Sequence, residues 1–215
     1  MSFTFTTLKS AIQDYTENTE TTFVNDLSTI IKQAEQRILD SVQLPAFRKN
    51  QTGTLTTSNA YLATPTDFLY PYSLAVLDSS SNYTFLLNKD VNFIREAYPS
   101  SSTTGLPIYY AQFDDDYFIV GPTPDSGYTV EIHYFYRPQS ITETSDGTSW
   151  LGTNAPDTLL YGCLIEAYTF MKGEPDVISL YDQRYKEALQ QLIIEGDGRN
   201  RKDAYRSGQI RIQGV

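Results

Sequence analysis

The spacing of the apolar residues changes twice along the chain, and this constrains the fold more than any other feature. Over Phe23–Val42 apolar side chains recur every three or four residues, which predicts an amphipathic helix that ends before Pro45. From about Arg48, short alternating segments predict strands, of which Tyr128–Tyr136 is the clearest. After Pro156 the helical spacing returns. The sequence therefore predicts an α+β fold.

The order of these regions predicts a discontinuous helical scaffold with a β domain inserted into it. We expect residues 1–47 and 155–198 to form the scaffold, because amphipathic helices from both ends must bury their apolar stripes. Residues 48–154 are expected to form an antiparallel sheet or sandwich. Residues 199–215 are predicted to be an extended basic tail.

Local signals predict where the shorter elements begin and end. Thr7 is a candidate N-cap for a first short helix, and Lys89–Tyr98 is predicted to be another short helix. Gly173 fits the position just after a helix, and Gly196–Gly198 is expected to end the last helix. The polar segment Ser140–Asn154 is predicted to be a loop that returns to the scaffold.

The charge is unevenly distributed, and this disfavours one class of function. The net charge is −10, but residues 199–215 alone carry +4, so the remainder of the chain carries −14. An acidic body repels the phosphate backbone, so sequence-specific nucleic-acid binding is not expected. No signal peptide or apolar run of membrane-spanning length is evident, so we expect a cytosolic product that does not enter a membrane.

The candidate catalytic residues are few, and each has a structural explanation. His133 is the only histidine and is on a predicted strand, and the single cysteine, Cys163, is on an apolar helical stripe. Asp114–Asp116 could bind a hard cation, but acidic residues are also favoured in a hairpin turn. We therefore expect no enzyme activity, no metal and no cofactor.

The basic tail has the pattern of a segment that docks on a partner. Arginine side chains pair well with carboxylates, and apolar residues between them can anchor the segment. The residues with this predicted role are Arg199, Arg201, Lys202, Tyr205, Arg206, Ile210, Arg211 and Ile212. A solvated chain end is the alternative interpretation, and it is compatible with ordering on a partner.

Taken in order, these features resemble the head-to-tail adaptor (connector) proteins of tailed phages. The resemblance is to the tail tubular protein A type of short-tailed phages in particular. The segments that carry it are Ala34–Leu39, Leu69–Pro71, Gly105–Tyr110, Tyr117–Pro122, Val130–Pro138, Leu159–Gly162 and Tyr181–Leu192.

The resemblance implies a structural protein of the virion neck and tail, assembled in the host cytoplasm. Such adaptors form a ring of about twelve copies that joins the portal to the tail nozzle. DNA passes through the ring without sequence-specific binding. The paired helices would form the ring body, residues 199–212 would dock on the portal, and the β domain would face outward or towards the tail.

Two other classes of function remain open from the sequence. A β-sandwich binding module, such as a tail-fibre or carbohydrate-recognition protein, would stack sugars on the Tyr-rich strands. A hydrolase or lyase would need two carboxylates that face each other in a deep pocket.

Overall fold

The computed structural model describes residues 2–78 and 80–200, with side chains as far as Gly196. The helices within these residues are α1 (Phe5–Thr16), α2 (Thr21–Ser41), α3 (Val91–Ala97), α4 (Trp150–Asn154), α5 (Pro156–Phe170), α6 (Pro175–Asn200) and a 3-10 turn at Pro45–Phe47. The strands are β1 (Arg48–Leu55), β2 (Tyr61–Ala63), β3 (Phe68–Leu77), β4 (Tyr83–Phe85), β5 (Leu87–Asn88), β6 (Thr104–Gly105), β7 (Tyr109–Gln112), β8 (Tyr117–Gly121), β9 (Thr123–Pro124) and β10 (Tyr128–Tyr136). The predicted α+β class is confirmed.

The chain divides into two compact units. The β unit is Phe47–Arg137, and the helical unit is formed by the described residues before it and after it. The segment 138–154, which the sequence placed in the inserted β domain, belongs to the helical unit. Its backbone is attached there, because the Ile141 N–H donates to Glu35 and the Gly152 carbonyl accepts from the Phe3 N–H at 2.8 Å.

The first helix begins earlier than the sequence predicted. Thr4 is the N-cap, and its hydroxyl accepts a hydrogen bond from the Thr7 N–H while the Thr7 hydroxyl accepts one from the Thr4 N–H. Thr7 is therefore the third residue of the helix in a capping box, and the prediction that it is the cap is wrong. Either threonine offers the same hydroxyl, so composition alone does not distinguish them.

The core of the helical unit lies between α1, α2, α5 and α6. The predicted stripe of α2 is buried and comprises Phe23, Leu27, Ile30, Ile31, Ala34 and Ile38. At Gly162 of α5 the backbone passes close to α2 and α6, because a Cβ added there would lie 3.5 Å from both Ala34 and Tyr185. Arg37 and Glu166 form an ion pair of 2.5 Å between α2 and α5.

A buried carboxylate on α2 holds the segment that follows the β unit. Glu35 is 4% exposed, and its Oε1 accepts the Ile141 N–H at 3.0 Å. Burial raises the pKa of this carboxyl, although the Ile141 N–H and the nearby hydroxyls of Ser140 and Ser149 act in the opposite direction. The contact fixes the segment that follows the β unit within the helical core.

The glycines at the two ends of α6 act through close packing. Lys172, with φ 56°, takes the left-handed position after α5 that the sequence assigned to Gly173. A Cβ at Gly173 would lie 2.6 Å from the Tyr168 ring, which explains the glycine. The predicted helix end at Gly196–Gly198 is wrong, because α6 continues to Asn200. Gly196 instead lies against Leu44, where a Cβ would collide with that side chain.

The β unit contains two facing four-stranded sheets. The front sheet has the order β1-β10-β3-β4 and is antiparallel throughout. The back sheet has the order β2-β8-β7-β5, in which only the β5–β7 pair is parallel, and β6 and β9 form a further short parallel pair. The core between the sheets consists of Leu55, Leu62, Leu74, Val76, Leu86, Tyr110, Phe118, Val120, Val130, Ile132 and Tyr134.

The two sheets are covered differently on their outer faces. Ile94 of α3 packs with Ala111 and Ile119 on the outer face of the back sheet. Gly121 permits this approach, since a Cβ there would lie 2.8 Å from Ile94. Among the described residues of the β unit, no helix packs on the outer face of the front sheet.

Candidate interaction surfaces

The predicted docking tail falls almost entirely outside the described part of the chain. The backbone of Arg199 lies in the last turn of α6. The other predicted docking residues, Arg201, Lys202, Tyr205, Arg206, Ile210, Arg211 and Ile212, lie beyond the described residues. Their role stays a prediction.

The cysteine has the environment of a core residue. Cys163 is fully buried, and burial raises the pKa of its thiol well above the ordinary value, as do the charges of Glu35 and Glu166. A nucleophilic cysteine needs the opposite shift, because the thiolate is the reactive form. His133 belongs to the other unit, where its ring packs edge-on against Tyr72 at 5.6 Å.

The acidic triplet Asp114–Asp116 forms the turn between β7 and β8. Asp114 Oδ1 accepts the N–H groups of Asp116 and Tyr117 at 2.9 and 2.7 Å. This is the turn geometry that favours aspartate at such a position. No group of three or more potential metal-binding side chains occurs within residues 2–78 and 80–196.

The outer face of the front sheet carries aromatic side chains, and we call it the aromatic face. Alternation places the rings of β4 and β10 opposite the core, and a register shift between β3 and β10 turns Tyr70 and Tyr72 to the same face. Three of them are strongly exposed: Tyr72 at 54%, Tyr83 at 53% and Phe85 at 65%. The aromatic face consists of Arg48, Tyr70, Tyr72, Tyr83, Phe85, Glu131, His133 and Phe135.

Arg48 organises one half of the aromatic face. Its guanidinium carbon lies 4.1 Å from the centroid of the Tyr72 ring and 5.0 Å from that of Phe135. Tyr70 adds a further ring at 4.8 Å from Phe135. These stacked groups restrain one another, so the surface presents its rings at low entropic cost.

Glu131 organises the other half. Its two oxygens accept hydrogen bonds from Asn50 Nδ2 and the Tyr83 hydroxyl, each at 2.9 Å. The bond to Glu131 raises the pKa of Tyr83. Tyr83 and Phe85 stack with centroids 6.3 Å apart. A surface of exposed rings with a stacked arginine and a fixed carboxylate has the composition of a protein interface.

The helical unit has a second candidate surface, beside the last turns of α6, which we call the acidic groove. It comprises two adjoining hollows that share Asn154, Leu192 and Glu195. Leu44 and Trp150 line one of the hollows, and Trp150 is half-buried there. The acidic rim of the groove is formed by Asp157, Glu195 and neighbouring amides.

The sequence left a Tyr-rich binding surface open as an alternative but did not locate it, because period-two alternation does not tell which face of a sheet is covered. It gave no sign of the acidic groove. Tyr83 and Phe85, two positions apart on β4, were the available signal, because both face away from the core. The acidic groove joins residues from three separate stretches of the chain, so no local sequence pattern predicts it.

Comparison with known proteins identifies the class. A family model described as SU10 adaptor protein matches residues 3–212. The chain therefore belongs to the SU10 adaptor protein family and is a phage structural adaptor protein of the virion neck. The family is structural rather than enzymatic. No curated protein is significantly similar to the chain. None of the described helices is long and apolar enough to cross a membrane.

Proposed function

We propose that this protein forms an adaptor ring of about twelve copies that joins the portal to the tail nozzle. The proposal extends to the tail tubular protein A type and to assembly in the host cytoplasm. The observation that carries it is the family match over residues 3–212, which includes both units and most of the basic tail.

The helical unit is suited to be the ring body. Its core joins helices from both ends of the chain, and α5 is buried along most of its length. Leu180 and Ile194 on α6 are 55% and 69% exposed, which leaves apolar surface for a neighbouring copy. The aromatic face of the β unit supplies a second contact, which we assign to the tail nozzle.

The charge distribution supports a DNA-conducting role. A ring whose lumen is lined by acidic surface does not retain DNA, because no counterions are released from the phosphates. The chain outside residues 199–215 carries −14, so acidic surface is available for this purpose. A ring structure with a basic lumen would contradict this part of the proposal.

The tail is proposed to dock on the portal, and deletion of residues 199–215 tests this. We expect the deletion to leave the circular dichroism spectrum of the subunit nearly unchanged and to abolish its assembly on the portal. Native mass measurement of the protein alone and mixed with portal is the readout. A truncated chain that still assembles on the portal would contradict the docking role.

A variant of the same length separates the effect of tail charge from the effect of tail length. Replacing Arg199, Arg201, Lys202, Arg206 and Arg211 by glutamine keeps the length of the tail and removes its basic charge. Portal assembly should weaken strongly in this variant and should become insensitive to salt, since surface charge pairs are screened. A second variant, with only Ile210 and Ile212 changed to serine, reports the apolar contribution.

The aromatic face favours one other candidate function, the recognition of carbohydrate. Exposed rings such as Tyr72 and Phe85 can stack on sugar faces, and Asn50 with Glu131 can bind hydroxyl groups. Glycan-array binding that is lost in Tyr72→Ala would support this candidate. Binding of tail nozzle that is lost in the same variant would favour the adaptor assignment.

A further inference from the structure

The acidic groove places the half-buried ring of Trp150 near two carboxylates that have no partner among the described side chains. Leu44 and Leu192 are buried beneath it, and Trp150 is half-buried at its side. Asp157 and Glu195 are exposed on its rim, and neither has an ion pair or hydrogen bond among the side chains described up to Gly196. Such a surface suits a basic segment with apolar side chains.

The last fifteen residues of the chain have this chemistry. Residues 201–215 contain four basic residues and one acidic residue, so they carry +3, whereas the described helical unit is strongly acidic. Tyr205, Ile210 and Ile212 alternate with Arg206 and Arg211. The segment therefore offers the cations and apolar anchors that complement the acidic groove.

The place where α6 ends brings the two together. Asn200 is five residues after Glu195, so the described end of the helix is about 8 Å along the axis from the rim of the groove. The fifteen residues that follow span up to about 50 Å when extended, so Ile210 and Ile212 can reach back to Trp150. A contact within one chain also profits from a high effective concentration.

We propose that the acidic groove of the helical unit binds the chain's own C-terminal segment, residues 201–215. Arg206 and Arg211 pair with Asp157 and Glu195, and the isoleucines pack against the half-buried ring of Trp150. The contact lies within a single subunit, needs no portal, and is therefore independent of the proposed function. It gives the tail a resting site from which a stronger partner must displace it.

Limited proteolysis of the full chain tests the proposal. Trypsin cleaves after Arg206 and Arg211, and mass spectrometry follows each cut. At low salt we expect these cuts to be roughly tenfold slower than in the double variant Asp157→Asn with Glu195→Gln, because that variant opens the contact. High salt should speed the cuts in the wild type to the rate of the variant.

The matched control is Asp14→Asn with Asp26→Asn. These carboxylates are exposed on α1 and α2, outside the groove, and their loss changes the net charge by the same amount. In this control variant, trypsin should cut the tail as slowly as in the wild type. If the control lost its protection from trypsin as fully as the groove variant, the assignment to the groove would be overturned. If trypsin cut the wild type and all variants equally fast, the contact itself would be overturned.

Trp150 provides a second readout, because it is the only tryptophan and borders the groove. Acrylamide should quench its fluorescence more strongly in Ile210→Ser with Ile212→Ser than in the wild type. Equal quenching in both would contradict the docked position of the tail. If protection of the tail from trypsin increased with protein concentration, the tail would be bound to a neighbouring copy, and the contact within one chain would be overturned.

Discussion

Glu35 and Asp67 are both carboxylates that contact a core, and folding shifts their pKa values in opposite directions. Burial raises the pKa of Glu35, as described above. Burial alone would also raise the pKa of Asp67, but hydrogen bonds from Lys49 and the Tyr134 hydroxyl outweigh it and lower the pKa. Burial of the Tyr134 ring and the hydrogen bond from its hydroxyl to Asp67 raise the pKa of Tyr134 to about 12. The contributions of the two carboxylates to the free energy of unfolding should therefore change in opposite directions with pH.

We expect Glu35→Gln to be as stable as the wild type at neutral pH, or more stable by up to about 1 kcal/mol. Glutamine keeps an oxygen for the Ile141 N–H but buries no charge. A raised folded pKa means that the wild type gains stability as the pH falls towards 4.5, so the advantage of the variant should shrink. Urea unfolding at neutral and acidic pH measures this.

The control for that experiment is Asp26→Asn, an exposed carboxylate of the same helix, which should change stability little at either pH. If Glu35→Gln were less stable than the wild type by the same amount at both pH values, burial of the charge would not be the dominant effect.

Asp67→Asn should behave in the reverse way. Asp67 accepts the Tyr134 hydroxyl at 2.7 Å and pairs with Lys49 at 2.5 Å, so we expect a loss of about 1 kcal/mol at neutral pH. The folded pKa lies below the model-peptide value of 3.8, so this stabilisation is present above 3.8 and lost below it. The difference in free energy of unfolding between variant and wild type should disappear on acidification. If that difference grew instead, the stabilising role of the Asp67 carboxylate would be contradicted.

At the scale of the elements, two helical glycines of the helical unit have opposite packing environments. A Cβ at Gly162 of α5 would make ordinary contacts at 3.5 Å, whereas one at Gly152 of α4 would lie 2.7 Å from the Phe3 carbonyl oxygen. Alanine stabilises a helix by about 1 kcal/mol relative to glycine when space permits. The packing environment therefore decides whether the same glycine-to-alanine substitution raises or lowers the free energy of unfolding.

We expect Gly162→Ala to raise the free energy of unfolding by about 0.5 to 1 kcal/mol and Gly152→Ala to lower it by about 1 to 3 kcal/mol. Each variant is the control for the other, because the side chain added is identical. Thermal and urea unfolding provide the values. Equal effects of the two substitutions would show that helix propensity and not packing determines them.

At the scale of the whole molecule, the chain enters and leaves the β unit at neighbouring points. Arg48, at the start of β1, pairs with Phe135, near the end of β10. The insertion therefore interrupts the helical scaffold at one place and needs no long connection. The β unit also has its own core between the two sheets.

We expect the fragment 47–137 to fold on its own. Its paired ends and separate core should give a cooperative thermal transition and dispersed amide resonances. Phe118→Ala, which empties the centre of that core, should abolish the transition or lower its midpoint strongly. A fragment without a cooperative transition would show that the β unit depends on the helical unit.

The sequence by itself determined the class of fold and the elements with strong periodicity. The stripe of α2, the helix that begins at Pro156 and the strand Tyr128–Tyr136 follow from apolar spacing, because spacing fixes which side chains share a face. The resemblance to phage adaptors was likewise contained in the order of the segments, and the family match confirms the adaptor class.

Only the tertiary structure decided the element ends, the course of segment 138–154 and the surfaces. Glycine permits both helix termination and close packing, and only the nearby Leu44 shows which role Gly196 has. Segment 138–154 has a polar sequence and is held by a buried carboxylate 106 positions away along the chain. The aromatic face and the acidic groove arise from residues distant in sequence, so their chemistry exists only after the chain has folded.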